Sequence, residues 1–224
     1  MTFAKRSVTM DSGAFFQQGS AMKLYFAPMT CSLSSHIVLR ELGLPFELIR
    51  VNNHSKRTAD GREFREINPK GYVAALLLDN GEVLTEGPAI LQYLADQVPQ
   101  HKLAPANGTW ERSRLQEHLN FISSEIHGAS APLFNNEIPE SIKAIFKQTL
   151  FKRLDFLSQT LAPQDYLMST FSVADAYLFT VLQWLPTFNI DIENWPVLAT
   201  YVKRVAERPS VRSAIAAEQA THPV

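Results

Sequence analysis

The sequence predicts a small α/β domain followed by an all-helical one. Between residues 22 and 98, short apolar runs alternate with segments of helical period. Residues 99–109 include two prolines and a glycine with few apolar side chains, the composition of a linker. From 110 to 224 every apolar stripe repeats at helical spacing.

The first 21 residues are polar and small, with Ala14-Phe15-Phe16 as their one apolar cluster. A signal peptide needs a longer apolar run and a transit peptide more basic residues, so 1–21 is read as a flexible extension, a cloning remnant or an upstream mis-start. Met22 opens a strand through Lys23-Leu24-Tyr25-Phe26-Ala27, and Pro28 closes it. Residues 32–42 read as a helix stopped by Gly43, and 46–51 as a second strand after Pro45. The polar stretch 58–66 is helix or loop. Ala75-Leu76-Leu77-Leu78 and Val83-Leu84-Thr85 flank Asp79-Asn80-Gly81, a hairpin in which Asn-Gly supplies the positive φ of a tight turn. Residues 88–97 read as a helix with Pro88 in its first turn, where a missing N–H costs nothing. This β-α-β unit followed by a hairpin and a helix is a thioredoxin-like arrangement.

In the helical part, Leu115, Leu119, Phe121 and Ile122 form one stripe, and Ile145, Phe146, Leu150, Leu154 and Leu157 another. Ser172-Val173-Ala174-Asp175 opens a further helix, because serine caps the N-terminus and an acid at the third position answers it. Trp195-Pro196 starts the next and Arg208-Pro209 interrupts before the last. Lys143, Lys147, Lys152 and Arg153 read as one solvated face. Trp184, Phe188 and Tyr201 read as core.

Composition narrows the function. Hydrophobic residues make up 46% against 19% charged, enough for a full core. A net charge of −1 without long runs of one sign argues against a nucleic-acid or anionic-membrane surface. No stretch is apolar for long enough to span a bilayer. With Cys31 as the only cysteine, neither an intrachain disulfide nor a cysteine-based zinc site can form, and no metal is expected. An unpaired thiol fits a reducing, cytoplasmic compartment.

Cys31 is the most informative residue. It lies between the first strand and the first helix, where unpaired N–H groups and the positive helix end favour the thiolate. Read alone, it is equally a small buried apolar side chain. Other features complete a site for a small peptide-like anion. Glu86-Gly87-Pro88 marks a second helix start, with amides for a carboxylate and an acid for an ammonium group. The run Asn68-Pro69-Lys70-Gly71-Tyr72-Val73 offers edge backbone for strand-like pairing. Lys56 follows the second strand, within reach of a second carboxylate. A γ-glutamyl-cysteinyl-glycine tripeptide has this inventory.

The same residues resemble the bacterial beta-class glutathione S-transferases over about residues 22–218. The resemblance is carried by Met22-Lys23-Leu24-Tyr25, Cys31-Ser32-Leu33-Ser34-Ser35-His36, Ile67-Asn68-Pro69-Lys70-Gly71 and Leu84-Thr85-Glu86-Gly87, and continues in Leu119-Asn120-Phe121, Ser172-Val173-Ala174-Asp175 and Ala206-Glu207-Arg208-Pro209. It implies the glutathione transferase fold, with 22–98 as the glutathione-binding domain and 110–224 as the helical one. By position it implies Cys31 at the glutathione sulfur and Lys56 at the glycyl end. Val73 would pair with the cysteinyl backbone, and Glu86 and Gly87 would hold the γ-glutamyl end. Asn120 and His127 would reach in from the helical domain, with His127 in a catalytic role. Without the resemblance, Asn120 reads as a packing residue, His127 as a helix-end cap and Lys56 as surface. Tyr25 matches a tyrosine that other classes use catalytically and this class does not.

Three positions depart from the family pattern, and at one of them Tyr72 replaces a smaller polar residue beside the site. The family places a cis-proline after Val73; this chain has Ala74, for which a trans bond is expected, since a non-proline cis bond costs about 2.5–4 kcal/mol. Met168 stands where the family has a glycine, a place that implies positive φ. The resemblance implies a homodimeric cytoplasmic detoxification enzyme with glutathione as co-substrate. It would act through Cys31 on small electrophiles or glutathione mixed disulfides, with peroxidase activity as a variant. The alternative is a catalytically weakened binding or regulatory module.

Overall fold

The computed structural model describes residues 22–221; the extension expected over 1–21 lies outside the described residues. Strand β1 (Met22–Phe26) sits inside a four-stranded sheet of order β2-β1-β3-β4. It runs parallel to β2 (Phe46–Arg50), with Met22 opposite Phe46. It runs antiparallel to β3 (Ala75–Leu77), with Lys23 opposite Leu77. The hairpin closes on β4 (Val83–Thr85), and Gly81 takes φ 87° in its turn, as Asn-Gly predicts.

Side chains alternate across this sheet with a period of two. Leu24 and Phe26 enter the large core beneath α1 (Ser32–Leu42) and α3 (Gly87–Gln97). Tyr25 points to the opposite face and packs with Phe64, Val73 and Ala75 in a second, smaller core. That face is covered by a mostly irregular segment and one short helix, α2 (Phe64–Ile67), so the stretch 58–66 is largely loop. Helix α1 ends where expected, on Gly43 at φ 65°.

Thr109 caps α4 (Trp110–Phe121) by accepting from the Arg112 N–H at 3.1 Å. A wide π-helical turn, Ile122–His127, then carries the chain into α5 (Gly128–Ser130). Helices α6 (Glu140–Leu161), α7 (Val173–Leu182), α8 (Pro196–Ala206) and α9 (Pro209–Ala220) complete the bundle. Every residue of α7 is buried, which makes it the axis of the helical part. Its start is the capping box the sequence implied. The Asp175 carboxylate accepts from the Ser172 N–H at 2.9 Å and the Ser172 hydroxyl at 2.8 Å. It also takes the Leu167 N–H at 2.8 Å and the Tyr201 hydroxyl at 3.1 Å.

Three expectations are corrected. Ile145 does not belong to the stripe on α6: at 3.6 residues per turn it stands on the face opposite Leu150, Leu154 and Leu157, and it is exposed where they are buried. Lys143, Lys147, Lys152 and Arg153 are not one wet face, since Lys143 is buried beside Glu140 and Arg153 pairs with Glu125 at 2.6 Å. Met168 does not adopt a positive φ, so no glycine is required there.

The two halves are joined at α1, which packs on α3 of its own half and on α7 and α9 of the other. Arg112, buried on α4, holds Asp96 of α3 through two hydrogen bonds of 2.8 and 2.9 Å. This bidentate pair fixes α4 against the sheet domain.

Candidate active site

The loop that delivers Cys31 is held from several sides. Ser32 Oγ donates to the Ala27 carbonyl at 3.2 Å, and Thr30 Oγ1 donates to the same carbonyl at 2.9 Å. Met29 sits at φ 59°, an unusual conformation for a side chain with a Cβ. Its N–H donates to Glu218 Oε2 of α9 at 3.2 Å, and its carbonyl accepts from Trp184 Nε1 at 2.9 Å. The helical domain thus grips the loop two residues before the thiol. Glu218 also meets His36 Nδ1 at 3.0 Å, with both side chains buried.

Cys31 is half-buried at the start of α1, and its Sγ donates to the Val73 carbonyl at 3.2 Å. The peptide bond between Val73 and Ala74 is cis, against the trans bond expected for alanine. The low thiol pKa expected from the helix start is also overturned. Burial pushes the Cys31 thiol up to about 11, outweighing the backbone N–H groups of Cys31, Ala74 and Ser32, which pull it down. Loss of water costs the thiolate more than those dipoles return, so the sulfur is a protonated hydrogen-bond donor at neutral pH.

Cys31 opens onto a cavity of about 260 Å³ between the two domains, shared with Val73, Glu86, Gly87, His127 and Tyr177. Glu86, at φ 72°, turns the chain into α3. Its exposed carboxylate accepts from Lys70 Nζ at 2.6 Å, and that ammonium also reaches Thr85 Oγ1 at 3.1 Å. Gly87 lies under Tyr177, where a Cβ would come 4.0 Å from the ring.

The helical wall is built by the π-helical turn and α7. His127 Nδ1 and the Tyr177 hydroxyl are 2.7 Å apart, and the His127 ring stands edge-on to Trp184 with centroids 4.9 Å apart. Burial pushes His127 below its usual range, partly opposed by Glu86, so the imidazole is neutral at pH 7. Burial, and then the nearby Cys31, push the Tyr177 phenol up, which keeps it protonated. The wall therefore offers a neutral imidazole and a phenol beside the thiol.

The structure brings Cys31, Val73, Glu86, Gly87 and His127 together on one cavity. Lys56 lies just outside it, its ammonium 5.6 Å from the ring centroid of Tyr72, which does line it. Asn120 is exposed on α4 and does not line the cavity. Tyr25 is buried under Phe64 and accepts a hydrogen bond from Arg62, away from the thiol. Sequence reasoning missed Tyr177 and Ser123. Ser123 and His127 are four residues apart on one helix, a spacing that flags a shared face. A larger, open groove of about 480 Å³ lies at the end of α6, where Asp165 and Arg204 pair at 3.0 Å, and it holds none of these groups. No cluster of three or more metal-binding side chains occurs among the described residues, and no helix among them is long and apolar enough to cross a membrane.

Residues 28–97 match the family model of the glutathione S-transferase N-terminal domain, and residues 121–209 match that of the C-terminal domain. The chain is 44% identical over 199 residues to glutathione S-transferase GstA of Escherichia coli O157:H7, covering 88% of this chain and 98% of that protein. A sphingomonad glutathione S-transferase complexed with glutathione superposes with a TM-score of 0.87 at 43% identity, covering 89% of this chain and 100% of that one. The beta-class enzyme of Sphingomonas chungbukensis gives 0.86 at 42% identity, with the same coverage.

Proposed function

The chain belongs to the glutathione S-transferase family, in its beta class, and on that premise we propose that it binds glutathione across the domain boundary and joins the intact tripeptide through its sulfur to a small electrophile. The observation that carries this is the meeting of Cys31, the Val73 carbonyl, Glu86 and the His127–Tyr177 pair on one cavity. The γ-glutamyl ammonium is placed at Glu86 and its carboxylate at the Gly87 end of α3, where free N–H groups favour an anion. The cysteinyl backbone pairs with Val73, and the glycyl carboxylate lies toward Lys56. Cys31, protonated in this setting, donates its S–H to the bound sulfur and stabilises it as the attacking thiolate. The neutral His127 accepts the proton that the glutathione thiol gives up.

A second reaction at the same sulfur runs through the minor thiolate form of Cys31, which the backbone N–H groups of Cys31, Ser32 and Ala74 assist against the larger effect of burial. The Cys31 thiolate attacks the glutathionyl sulfur of a mixed disulfide, forming a Cys31–glutathione disulfide and releasing the other thiol. A second glutathione thiolate then breaks that bond, regenerating Cys31 and leaving as glutathione disulfide. A homodimer, as membership of the family implies, belongs to the same reading. A single unpaired thiol suits a cytoplasmic setting.

The test compares Cys31→Ser with Cys31→Ala. Serine keeps a donor at this position, so conjugation of an aryl halide should persist within about tenfold, while alanine should lose about 10²-fold or more. Both should fail to form a glutathione adduct, read by intact mass after exposure to glutathione disulfide. Wild-type protein that neither conjugates glutathione nor forms the adduct would refute the proposal.

A further inference from the structure

The chemistry proposed above leaves the Tyr177 hydroxyl without a task, although it shares the cavity with Cys31 and His127. Its oxygen is held from two sides. His127 Nδ1 lies 2.7 Å away, so His127 takes the thiol proton at Nε2, and Nδ1 carries the imidazole hydrogen and donates to the phenol oxygen. The Ser123 hydroxyl bonds the same oxygen and favours its ionised form, the mark of a donor. Burial outweighs Ser123 and keeps the phenol protonated at neutral pH. A phenol oxygen that accepts from two donors has its single O–H left over. Cys31 bears on the ionisation of this phenol, so that O–H lies close to the reacting sulfur. A dehydrated donor there fits a ligand group that gains negative charge on oxygen as the reaction proceeds. Beyond His127 the wall continues as rings: Trp184 stands edge-on to His127, and Phe134, 47% exposed, stands edge-on to Trp184 with centroids 5.4 Å apart. These rings offer an apolar face to the rest of the same ligand.

We propose that Tyr177 is a further catalytic residue, whose O–H binds the carbonyl oxygen of an α,β-unsaturated ketone and so selects enones among the electrophiles this protein conjugates. This rests on the glutathione-conjugating reading above. The glutathione thiolate forms the C–S bond at the β-carbon of the enone. The C=C electron pair moves toward the carbonyl carbon, and the C=O π pair moves onto oxygen. Tyr177 donates a hydrogen bond to that enolate oxygen and keeps its own proton. The proton that His127 took from the thiol goes to the α-carbon, which yields the ketone adduct and returns His127 to its neutral form. Displacement at an alkyl halide gives Tyr177 no such partner, since the charge leaves with the halide.

The test measures kcat and KM for glutathione conjugation of benzylideneacetone and of benzyl chloride, with each kcat divided by the uncatalysed rate at the same pH. Wild type should accelerate the enone about 10²-fold beyond the halide, the worth of one oxyanion donor. Tyr177→Phe keeps the ring and removes the hydroxyl. Any harm it does to His127 falls on both substrates, so the ratio of the two accelerations isolates the contact with the carbonyl. That ratio should drop by about 10²-fold, with KM for the enone changed by no more than about threefold. A ratio that Tyr177→Phe does not move would show that Tyr177 acts only through His127, and would overturn the proposal. Equal acceleration of the two substrates by wild type would overturn it without any variant. Both of those results leave glutathione conjugation standing, whereas folded wild-type protein that accelerates neither reaction overturns both readings.

Discussion

At the scale of the residue, Cys31 shows how dehydration competes with a helix dipole. Its place in the chain was legible because a lone cysteine between a strand and a helix stands out, but its ionisation was not, since burial depends on Val73, Tyr177 and the domain behind it. The sign follows directly: alkylation needs the thiolate, and a raised pKa delays it. The rate of iodoacetamide modification should keep rising from pH 7 to beyond pH 9; a plateau below pH 8 would contradict the burial account. Lys70 carries a second consequence. Its ammonium holds the Glu86 carboxylate, the group assigned to the ammonium of glutathione, so the two compete. Lys70→Met should tighten glutathione binding by up to about threefold, the worth of an exposed ion pair, with the gain shrinking in high salt. A weaker complex in calorimetry would instead mean that Lys70 touches the ligand.

At the scale of the element, local chemistry was the readable part. The Asn-Gly hairpin, the Gly43 stop and the Ser172–Asp175 box each carry their signal within a few residues. The π-helical turn that aims His127 was hidden, because nothing in Ile122-Ser123-Ser124-Glu125-Ile126-His127 differs from an ordinary helix. Tyr177 was hidden too, since on a helix buried all round no periodicity tells which side meets the cavity. Lys143 misled for the opposite reason: charge alone cannot reveal that a long stem is buried. Helix α1 offers a test of element stability. Ser35 is buried there with its hydroxyl lacking any protein partner, and serine is the poorer helix former. Ser35→Ala should stabilise the protein by about 1 kcal/mol and raise the melting temperature by about 2–4 °C. A loss in the thermal melt would show that this hydroxyl is satisfied after all.

At the scale of the whole molecule, the site exists only because two domains share it. Arg112 locks α4 to Asp96, and Glu218, near the end of the described chain, holds Met29 near its beginning. Both domains should therefore melt in one calorimetric transition. Glu218→Ala strips a hydrogen-bond partner from His36 and from the Met29 N–H together, and should destabilise the fold by about 2–6 kcal/mol without splitting the transition. A separate early transition of one domain would show that these contacts do not couple them. Trp184 belongs to the same bridge, bonded to Met29 through its indole nitrogen and packed edge-on against His127. Of the three tryptophans, Trp110 is largely exposed and Trp184 is buried. The enzyme therefore contains its own optical gauge. With Trp110 and Trp195 replaced by phenylalanine, the remaining emission comes from an indole touching both the thiol's loop and the His127 side of the cavity. Its blue-shifted fluorescence should report each arrival at Cys31 without any added label.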